Sequence, residues 1–236
     1  MKYCTLFFLL VFVTSCAAPP RNITYSDEYD KRPTLQSSLF KSDQSVLDDS
    51  TIARILSSKV VLPMHAKIAL MKFPDRYESN YYSYYWRSED HMKLQQSYAD
   101  TISSILLRSG RIDEVSTLPD LMVPKDANIS VLREAAVRLQ ADLLLVYRIS
   151  TDVYQEYAIW GKDKVKAFGN CEAVFIDVRT GIIPFTTVVT EDFLAIQEKS
   201  DLNLGMTVRR AKSEATIKAL TTTSQQITDF LNKISK

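Results

Sequence analysis

The sequence predicts an α/β protein with an α+β mixed sheet, and three patterns in its 236 residues support this class. Up to residue 140, stretches with helical spacing alternate with short apolar runs, which is typical of βαβ units and parallel strands. Residues 142–194 hold three alternating stretches in succession, which predict an antiparallel meander. Residues 204–234 then have helical spacing throughout. The predicted order is therefore α-β-α-β-α-β-β-β-α, with a late antiparallel meander and a long C-terminal helix.

Local patterns predict the first helix and the first strand. Ser45–Ser58 contains apolar residues at helical spacing, and Asp49 or Ser50 could cap a short helix there. Ala66–Phe73 is an apolar run that ends at Pro74, which predicts a buried strand.

A longer amphipathic helix and a second strand follow. His91–Ser109 is predicted to be helical, and Gly110 fits the stop. Ile112–Leu118 is a short strand candidate that Pro119 closes. The apolar face of the helix is predicted to hold Tyr98, Ile102, Ile105 and Leu106.

A third helix is predicted to begin after a capping residue and to run through Gln140. Asn128 or Ser130 is the candidate cap, because both side chains can accept a hydrogen bond from the first helical turn. Its buried stripe is predicted to hold Leu132, Ala135, Ala136 and Leu139.

The meander begins with the most apolar run in the chain. Asp142–Ile149 predicts a central strand covered on both faces, and its alternation continues to Ile159. Gly161–Lys164 predicts a turn, and Val165–Val178 returns as an alternating strand.

Arg179–Gly181 is predicted to form a tight turn, because Gly181 can adopt the positive φ that such turns require. The third strand of the meander follows this turn. Ile182–Leu194 is that strand, and Pro184 predicts that it lies at a sheet edge or carries a bulge. Leu204–Ile234 is the final helix. Its buried stripe is predicted to hold Leu220, Ile227, Leu231 and Ile234.

Composition narrows the classes of function. With 29 basic and 28 acidic residues the chain is nearly neutral, so we predict no nucleic-acid partner. With 5 Gly, 2 His and 3 Cys it holds no Gly-rich phosphate loop and no zinc-ligand spacing. The chain has no Gly-x-Ser-x-Gly nucleophile motif, so neither His65 nor His91 has a serine nucleophile of that kind to activate as a general base. We therefore predict no catalytic residues, no metal and no cofactor, and expect that the protein is not an enzyme.

The N-terminus predicts a lipoprotein signal peptide at residues 1–15. Lys2 precedes the apolar run Leu6–Val13, which is shorter than the roughly 20 residues needed to span a bilayer. The segment Val13-Thr14-Ser15-Cys16 resembles the bacterial lipobox, which implies cleavage before Cys16 and acylation of its thiol, for example with palmitate. An ordinary secretory signal, cut near Ala17-Ala18, is the alternative.

Removal of the signal takes away Lys2 and leaves 28 basic and 28 acidic residues. Residues 16–44 are predicted to be the lipidated Cys and a flexible tether with an end-to-end distance of about 30 Å. Residues 45–236 are predicted to form a single α/β domain. Acyl chains on Cys16 would hold it at a membrane. The absence of Asp after Cys16 resembles outer-membrane sorting, which for a Gram-negative host implies a lipoprotein that faces the periplasm.

Three segments together resemble a known envelope fold: Lys67–Phe73, Arg138–Leu145 and Ile176–Gly181. The order is similar to that of the amino-terminal domain of TolB, the penicillin-binding-protein activator lipoprotein and the periplasmic domain of the curli secretion lipoprotein. In those families a Leu-Gly-Ala-Asp-like turn enters the central strand, and here Gln140 replaces the Gly. Their Asp-x-x-Thr-Gly turn is intact as Asp177–Gly181. The resemblance covers about residues 60–235 and implies no catalytic residues.

The chain also resembles the rhombotarget lipoprotein family. The features that carry this likeness are the lipobox, the segment Ser37-Ser38-Leu39 after the tether, and a Tyr-rich strand after the central one.

A Tyr-rich segment after the first strand is the predicted contact with a partner. It has the composition of a recognition surface, because Tyr, Trp and Arg offer large contact areas with few torsions. A loop that only packs on the sheet edge is the alternative. The predicted contact residues are Tyr77, Tyr81, Tyr82, Tyr84, Tyr85, Trp86 and Arg87.

Three further features have structural interpretations. Cys171 alternates with Ala173 and Phe175, so we predict a small core residue, with an intermolecular disulfide as the alternative. The basic cluster Arg209-Arg210-x-Lys212 is predicted to be a solvated helix face. A second aromatic set is either a binding surface or ordinary cross-strand pairs: Tyr154 and Trp160 on one face of the strand and Tyr157 on the other.

These observations lead to one functional hypothesis and two alternatives. The first is a non-enzymatic, membrane-anchored envelope lipoprotein that binds another envelope protein as an accessory of assembly, secretion or cell-wall synthesis. The alternatives are a module that binds glycan or peptidoglycan fragments, and a structural homo-oligomer.

Overall fold

In this computed structural model, which describes residues 48–73, 89–122, 128–156 and 162–234, the elements follow the predicted order. The helices are α1 (Asp49–Ser57), α2 (Glu89–Leu107), α3 (Ile129–Arg138) and α4 (Leu204–Ile234), with a short 3-10 turn at Asp120–Met122. The strands are β1 (Ala66–Lys72), β2 (Ile112–Thr117), β3 (Leu143–Glu156), β4 (Lys164–Asp177) and β5 (Phe185–Ile196). The predicted domain boundaries after residues 15 and 44 lie outside the described residues.

One five-stranded mixed sheet, in the order β2-β1-β3-β4-β5, organises the fold. β1 pairs in parallel with both β2 and β3, whereas β3, β4 and β5 form the predicted antiparallel meander. The central position predicted for the apolar run before Ile149 is confirmed. The edge prediction from Pro184 is also confirmed, because β5 is an edge strand and begins one residue later, at Phe185.

The apolar run at the start of β3 contributes buried side chains to the cores on both faces of the sheet. Leu143 and Leu145 pack into a core formed with α2 and α4. Leu144 and Val146 point the other way and pack against α3. This alternation follows from the two-residue period of a strand, and it explains why four consecutive residues had to be apolar.

The long helix α4 packs directly on β4 and β5, and its backbone approaches the sheet closely at Gly169. Its buried side chains are small where it crosses β4, with Ala211 and Ala215 completely buried. Gly169 of β4 lies directly beneath Ala215 and has no side chain to hold the helix away. Small residues on both elements therefore determine how closely α4 and the sheet approach each other.

Two details of the helix ends differ from the sequence prediction. α1 is preceded by Asp48, whose carbonyl accepts the Ile52 N–H at 3.0 Å, so Asp49 and Ser50 lie in the first turn and do not cap it. Ile234 was expected in the buried stripe of α4 but is 38% exposed, because the helix has passed the edge of the core there. For α3 the predicted cap is confirmed: Asn128 Oδ1 accepts from the Val131 N–H at 2.9 Å.

Candidate binding surface on the open face of the meander

The outer half of the β3–β5 meander has one face that none of the described elements covers. β1 ends at Lys72, opposite Tyr147, and α3 packs only as far along β3 as Val146. β3 then continues to Glu156 with β4 and β5 beside it. On the α3 side, all side chains of this outer half are exposed or half-buried. We call them the open face: Arg148, Ser150, Asp152, Tyr154, Glu156, Lys164, Lys166, Phe168, Asn170, Glu172, Val188, Thr190, Asp192, Leu194 and Ile196.

Large apolar and aromatic side chains stand on this face. Val188 is 71% exposed and Tyr154 64% exposed, and Leu194 is also exposed. The Tyr154 ring meets Phe168 edge-on, with the centroids 5.8 Å apart. The Lys166 ammonium lies 5.1 Å from the centroid of the same Phe168 ring. Tyr154, Phe168 and Leu194 lie in adjacent rows, whereas Val188 is six residues from Leu194 along β5, about 20 Å away. Neighbouring exposed apolar side chains on a regular sheet are characteristic of an interaction surface.

Polar cross-strand contacts hold the open face in one arrangement. Arg148 Nη2 lies 2.5 Å from Glu172 Oε2. Asn170 links all three strands, donating to the Ser150 hydroxyl at 3.4 Å and accepting from the Thr190 hydroxyl at 2.9 Å. Exposed pairs of this kind each contribute at most about 1 kcal/mol to stability, so their main effect is to order the side chains.

Asp152 differs from the other acids of this face. Within the described residues its carboxylate accepts only the Val153 N–H, at 2.8 Å. Asp192, in comparison, lies 3.3 Å from Lys166, and Glu156 lies 3.8 Å from Lys164. The open face thus offers one acid without a cationic partner among the described residues, beside an exposed aromatic pair.

A cavity of about 420 Å³ lies at the opposite end of the sheet, over the Asp177–Gly181 turn. The buried Asp177 carboxylate accepts from the Arg179 N–H and the Thr180 hydroxyl, and Gly181 has φ +76°. Arg133 of α3 donates to the carbonyls of Val178 and Arg179. The turn is therefore an internally satisfied structural element, as the resemblance implied.

The residues that the sequence predicts as sites lie outside the described residues. Cys16 and the Tyr-rich contact set (Tyr77, Tyr81, Tyr82, Tyr84, Tyr85, Trp86 and Arg87) belong to segments that the structure does not describe. The same holds for Tyr157 and Trp160 of the second aromatic set. Tyr154, the remaining member, lies on the open face and forms the cross-strand aromatic contact with Phe168.

Cys171 is a core residue, as predicted. It lies with Ala173 and Phe175 in the core beneath α2 and α4. Burial raises the pKa of its thiol to about 11, so the reactive thiolate is scarce at neutral pH. Burial also raises the pKa of the neighbouring Tyr147 hydroxyl.

One prediction about the basic cluster is wrong. Arg210 does not lie on a solvated face: its guanidinium bonds Glu198 at 2.7 Å and Asp201 at 2.9 Å, and it also donates to the Ile196 carbonyl. It therefore ties the connection after β5 to the start of α4. Periodicity could not reveal this, because the partners belong to the preceding connection.

The described residues contain neither a metal-binding cluster nor a membrane-spanning helix. No group of three or more His, Cys, Asp or Glu side chains in the described ranges is placed to hold a metal ion. His65 instead pairs with Asp113, at 2.9 Å. None of the described helices is long and apolar enough to cross a membrane.

No family model and no curated protein matches the chain. The solved structures to which it is similar include bacterial lipoproteins.

One of them is the PelC dodecamer from Paraburkholderia phytofirmans, with 15% identity over 70% of this chain and 91% of that chain and a TM-score of 0.34. A minor lipoprotein from Acinetobacter baumannii has 12% identity over 72% and 92%, with a TM-score of 0.35. A homolog of a neuraminyllactose-binding hemagglutinin from Helicobacter pylori has 12% identity over 74% and 97%, with a TM-score of 0.41.

Proposed function

We propose that this chain is a non-enzymatic envelope lipoprotein, anchored through Cys16, whose α/β domain binds a protein partner at the open face. The observation that carries the proposal is the set of exposed apolar side chains on one sheet face: Tyr154 and Leu194 share a row of the open face next to Phe168, and Val188 lies three rows away. Binding surfaces built on strands position their contacts more precisely than surfaces built on loops. The surrounding charged residues correspond to the polar rim of a protein interface.

The area of the open face limits how much of a protein–protein interface it can form. Eight residue steps along β3 and the width of three strands give roughly 26 by 14 Å, or about 370 Å². A stable interface buries about 800 Å² on each partner. The open face therefore has the dimensions of the central part of an interface and needs contacts around it.

The Tyr-rich segment is proposed to supply some of these contacts. Residues 74–88 follow the carboxyl end of β1, where Lys72 pairs with Tyr147, one residue before the open face begins at Arg148. The lipobox at Val13–Cys16 and the tether at residues 17–44 support an anchored domain that can reach a partner.

Site-specific photo-cross-linking in cells of the source organism tests the proposal. A photoreactive phenylalanine analogue would replace Val188 or Leu194 on the open face, and Val137 on the exposed side of α3 as the matched control. We expect a discrete protein adduct from positions 188 and 194 and none from 137. The absence of adducts at both test positions, or equal adducts at all three, would overturn the assignment.

A further inference from the structure

The two edges of the sheet differ in length and in charge. β2 forms one edge with 6 residues, and Asp113 and Glu114 place charges on it. β5 forms the other edge with 12 residues, and its first half, Phe185–Thr190, is uncharged and almost entirely β-branched. Sheets commonly protect an edge with a short strand or with charges, because an edge strand exposes unpaired backbone groups. The first half of β5 has neither protection.

The hydrogen-bond pattern establishes which residues of β5 direct their backbone groups toward the edge. Directly after the strand, the Gln197 N–H donates to the Asp163 carbonyl at 2.9 Å and continues the register of β4 and β5. The direction of the backbone groups alternates along a strand. Odd-numbered residues of β5 therefore face β4, and even-numbered residues face outward.

α4 occupies outward carbonyls only in the second half of this edge. Lys218 Nζ donates to the Asp192 carbonyl at 3.1 Å, and Arg210 Nη2 donates to the Ile196 carbonyl at 3.0 Å. In the first half, no described group bonds the outward N–H or carbonyl of three residues: Thr186, Val188 and Thr190. We call these three residues the free edge.

We propose that the free edge pairs with the free edge of a second copy of this chain, antiparallel and about a two-fold axis at Val188. Val188 then lies opposite Val188 of the other copy, and Thr186 lies opposite Thr190, so every free outward group has a partner. A shift of the axis by one residue would place Pro184, which has no N–H, or the occupied Asp192 carbonyl opposite a free residue. The free edge is therefore complementary to itself.

The position of α4 favours a second copy over an isolated peptide strand. Phe230 of α4 stacks on Phe185, with the centroids 4.8 Å apart, and meets Phe175 edge-on at 6.5 Å. Since Phe175 and Phe185 pair across β4 and β5, the axis of α4 lies above the line between these strands, about 2.4 Å inside the edge. Two copies whose β5 strands are about 4.8 Å apart would thus bring their α4 axes to about 10 Å, the usual distance of packed helices. A lone strand would leave this side of α4 without a neighbour.

The pairing also enlarges the surface available for a partner. A two-fold axis perpendicular to the sheet keeps both α4 helices on one side and places both open faces on the other. Side by side, the two open faces measure about 740 Å², close to the roughly 800 Å² that a stable interface buries on each partner. The pairing itself goes beyond the proposed function, because it uses the edge of β5 and needs no partner on the open face.

Sedimentation velocity of the mature chain with Cys16→Ser, which cannot be acylated, tests the pairing over a range of concentrations. We expect dimers and no larger species. Val188→Pro removes an outward N–H and should give monomers, whereas Leu194→Pro, which also removes an outward N–H but lies outside the free edge, should still dimerise. Neither N–H bonds within the sheet, and proline is tolerated at such edge positions, so circular dichroism should show both variants folded.

Disulfide cross-linking tests the register separately from the proline variants. In the Cys16→Ser chain, Val188→Cys should give a covalent dimer on mild oxidation, because the two Cα atoms would be about 5.5 Å apart. Leu194→Cys is the matched control on the same face and should not, because its counterpart would be about 40 Å away. Cys171 is buried and should not react in either variant.

A monomeric parent chain, dimers that survive Val188→Pro, or equal cross-linking at positions 188 and 194 would overturn the pairing. If the chain is monomeric but positions 188 and 194 still give photo-adducts with a different protein in cells, only the pairing fails and the proposed function stands. If the chain forms the disulfide-linked dimer at position 188 but yields no adduct with a different protein, the pairing stands and the proposed function fails.

Discussion

A Cβ atom on Gly169 would lie 2.6 Å from the backbone carbonyl carbon and oxygen of Ala215. Real Cβ atoms do not approach backbone this closely, so β4 and α4 touch main chain to main chain at this point. The contact places α4 on one face of the meander and leaves the opposite face, which carries Tyr154 and Val188, as the open one.

We therefore expect Gly169→Ala to destabilise the domain by about 1–3 kcal/mol, because the helix backbone would have to move. Urea denaturation followed by circular dichroism measures the change. Gly205→Ala is the comparison and should cost less, since the nearest atom there is the Asn203 side-chain oxygen at 3.0 Å, whose displacement would disturb only its hydrogen bond from the Met206 N–H. Equal losses in the two variants would contradict the close approach.

Gln140 adopts φ +56°, which a non-glycine residue occupies at an energetic cost. The resembling families carry Gly at this turn. We expect Gln140→Gly to stabilise the folded state by up to about 1 kcal/mol, because Gly is not strained there. Chemical denaturation checks the sign. Arg138→Gly, two residues earlier in α3, should instead destabilise by about 1 kcal/mol, because Gly is a poor helix former. A loss of stability in Gln140→Gly would argue against strain at the turn.

Asp201 links folding to pH. Its pKa is lowered below 3.8, first by the hydrogen bond from the Glu198 backbone N–H and then by Thr207 and Arg210. A carboxyl with a lowered folded-state pKa stabilises the protein above its unfolded pKa, and this stabilisation is lost as the pH falls through the folded value. Asp201→Asn should therefore reduce the thermal stability at pH 7, and its difference from the parent chain should shrink below pH 4.

Thermal melts at pH 7, 4 and 3 would measure this difference. Asp229→Asn, on an exposed position of α4, serves as the control for removing a carboxylate elsewhere on that helix. A difference for Asp201→Asn that is independent of pH would show that the carboxylate charge is not what stabilises the start of α4.

The lipobox makes Cys16 the proposed attachment point to the membrane. Cys16→Ser should abolish labelling with a palmitate analogue and release the protein from the membrane fraction, because acyl chains provide the membrane affinity. Cys171→Ala should keep both properties, since Cys171 is buried. If cleavage occurs near Ala17-Ala18 instead, intact mass would show an unacylated N-terminus in the parent chain as well.

The sequence by itself determined the helices and strands, because the periods of 3.6 and 2 residues are local properties. The bounds Leu204–Ile234 of α4, the Asn128 cap of α3 and the core position of Cys171 all follow from neighbours along the chain. The same holds for the class of the sheet and the central place of β3. Parallel strands need helical crossovers, and a run apolar on both faces needs cover on both.

Only the tertiary structure decided which surface stays open. Tyr154 and Leu194 share one row of this face only through the register of three strands, and Val188 lies three rows away on the same face. Whether that face is covered depends on where α3 ends, which no pattern within β3–β5 records. In the same way, the acidic partners of Arg210, Glu198 and Asp201, lie in the connection between β5 and α4, which folds back against the helix. These properties depend on contacts between residues distant along the chain, so a local pattern could predict the strands but not the surface that they form together.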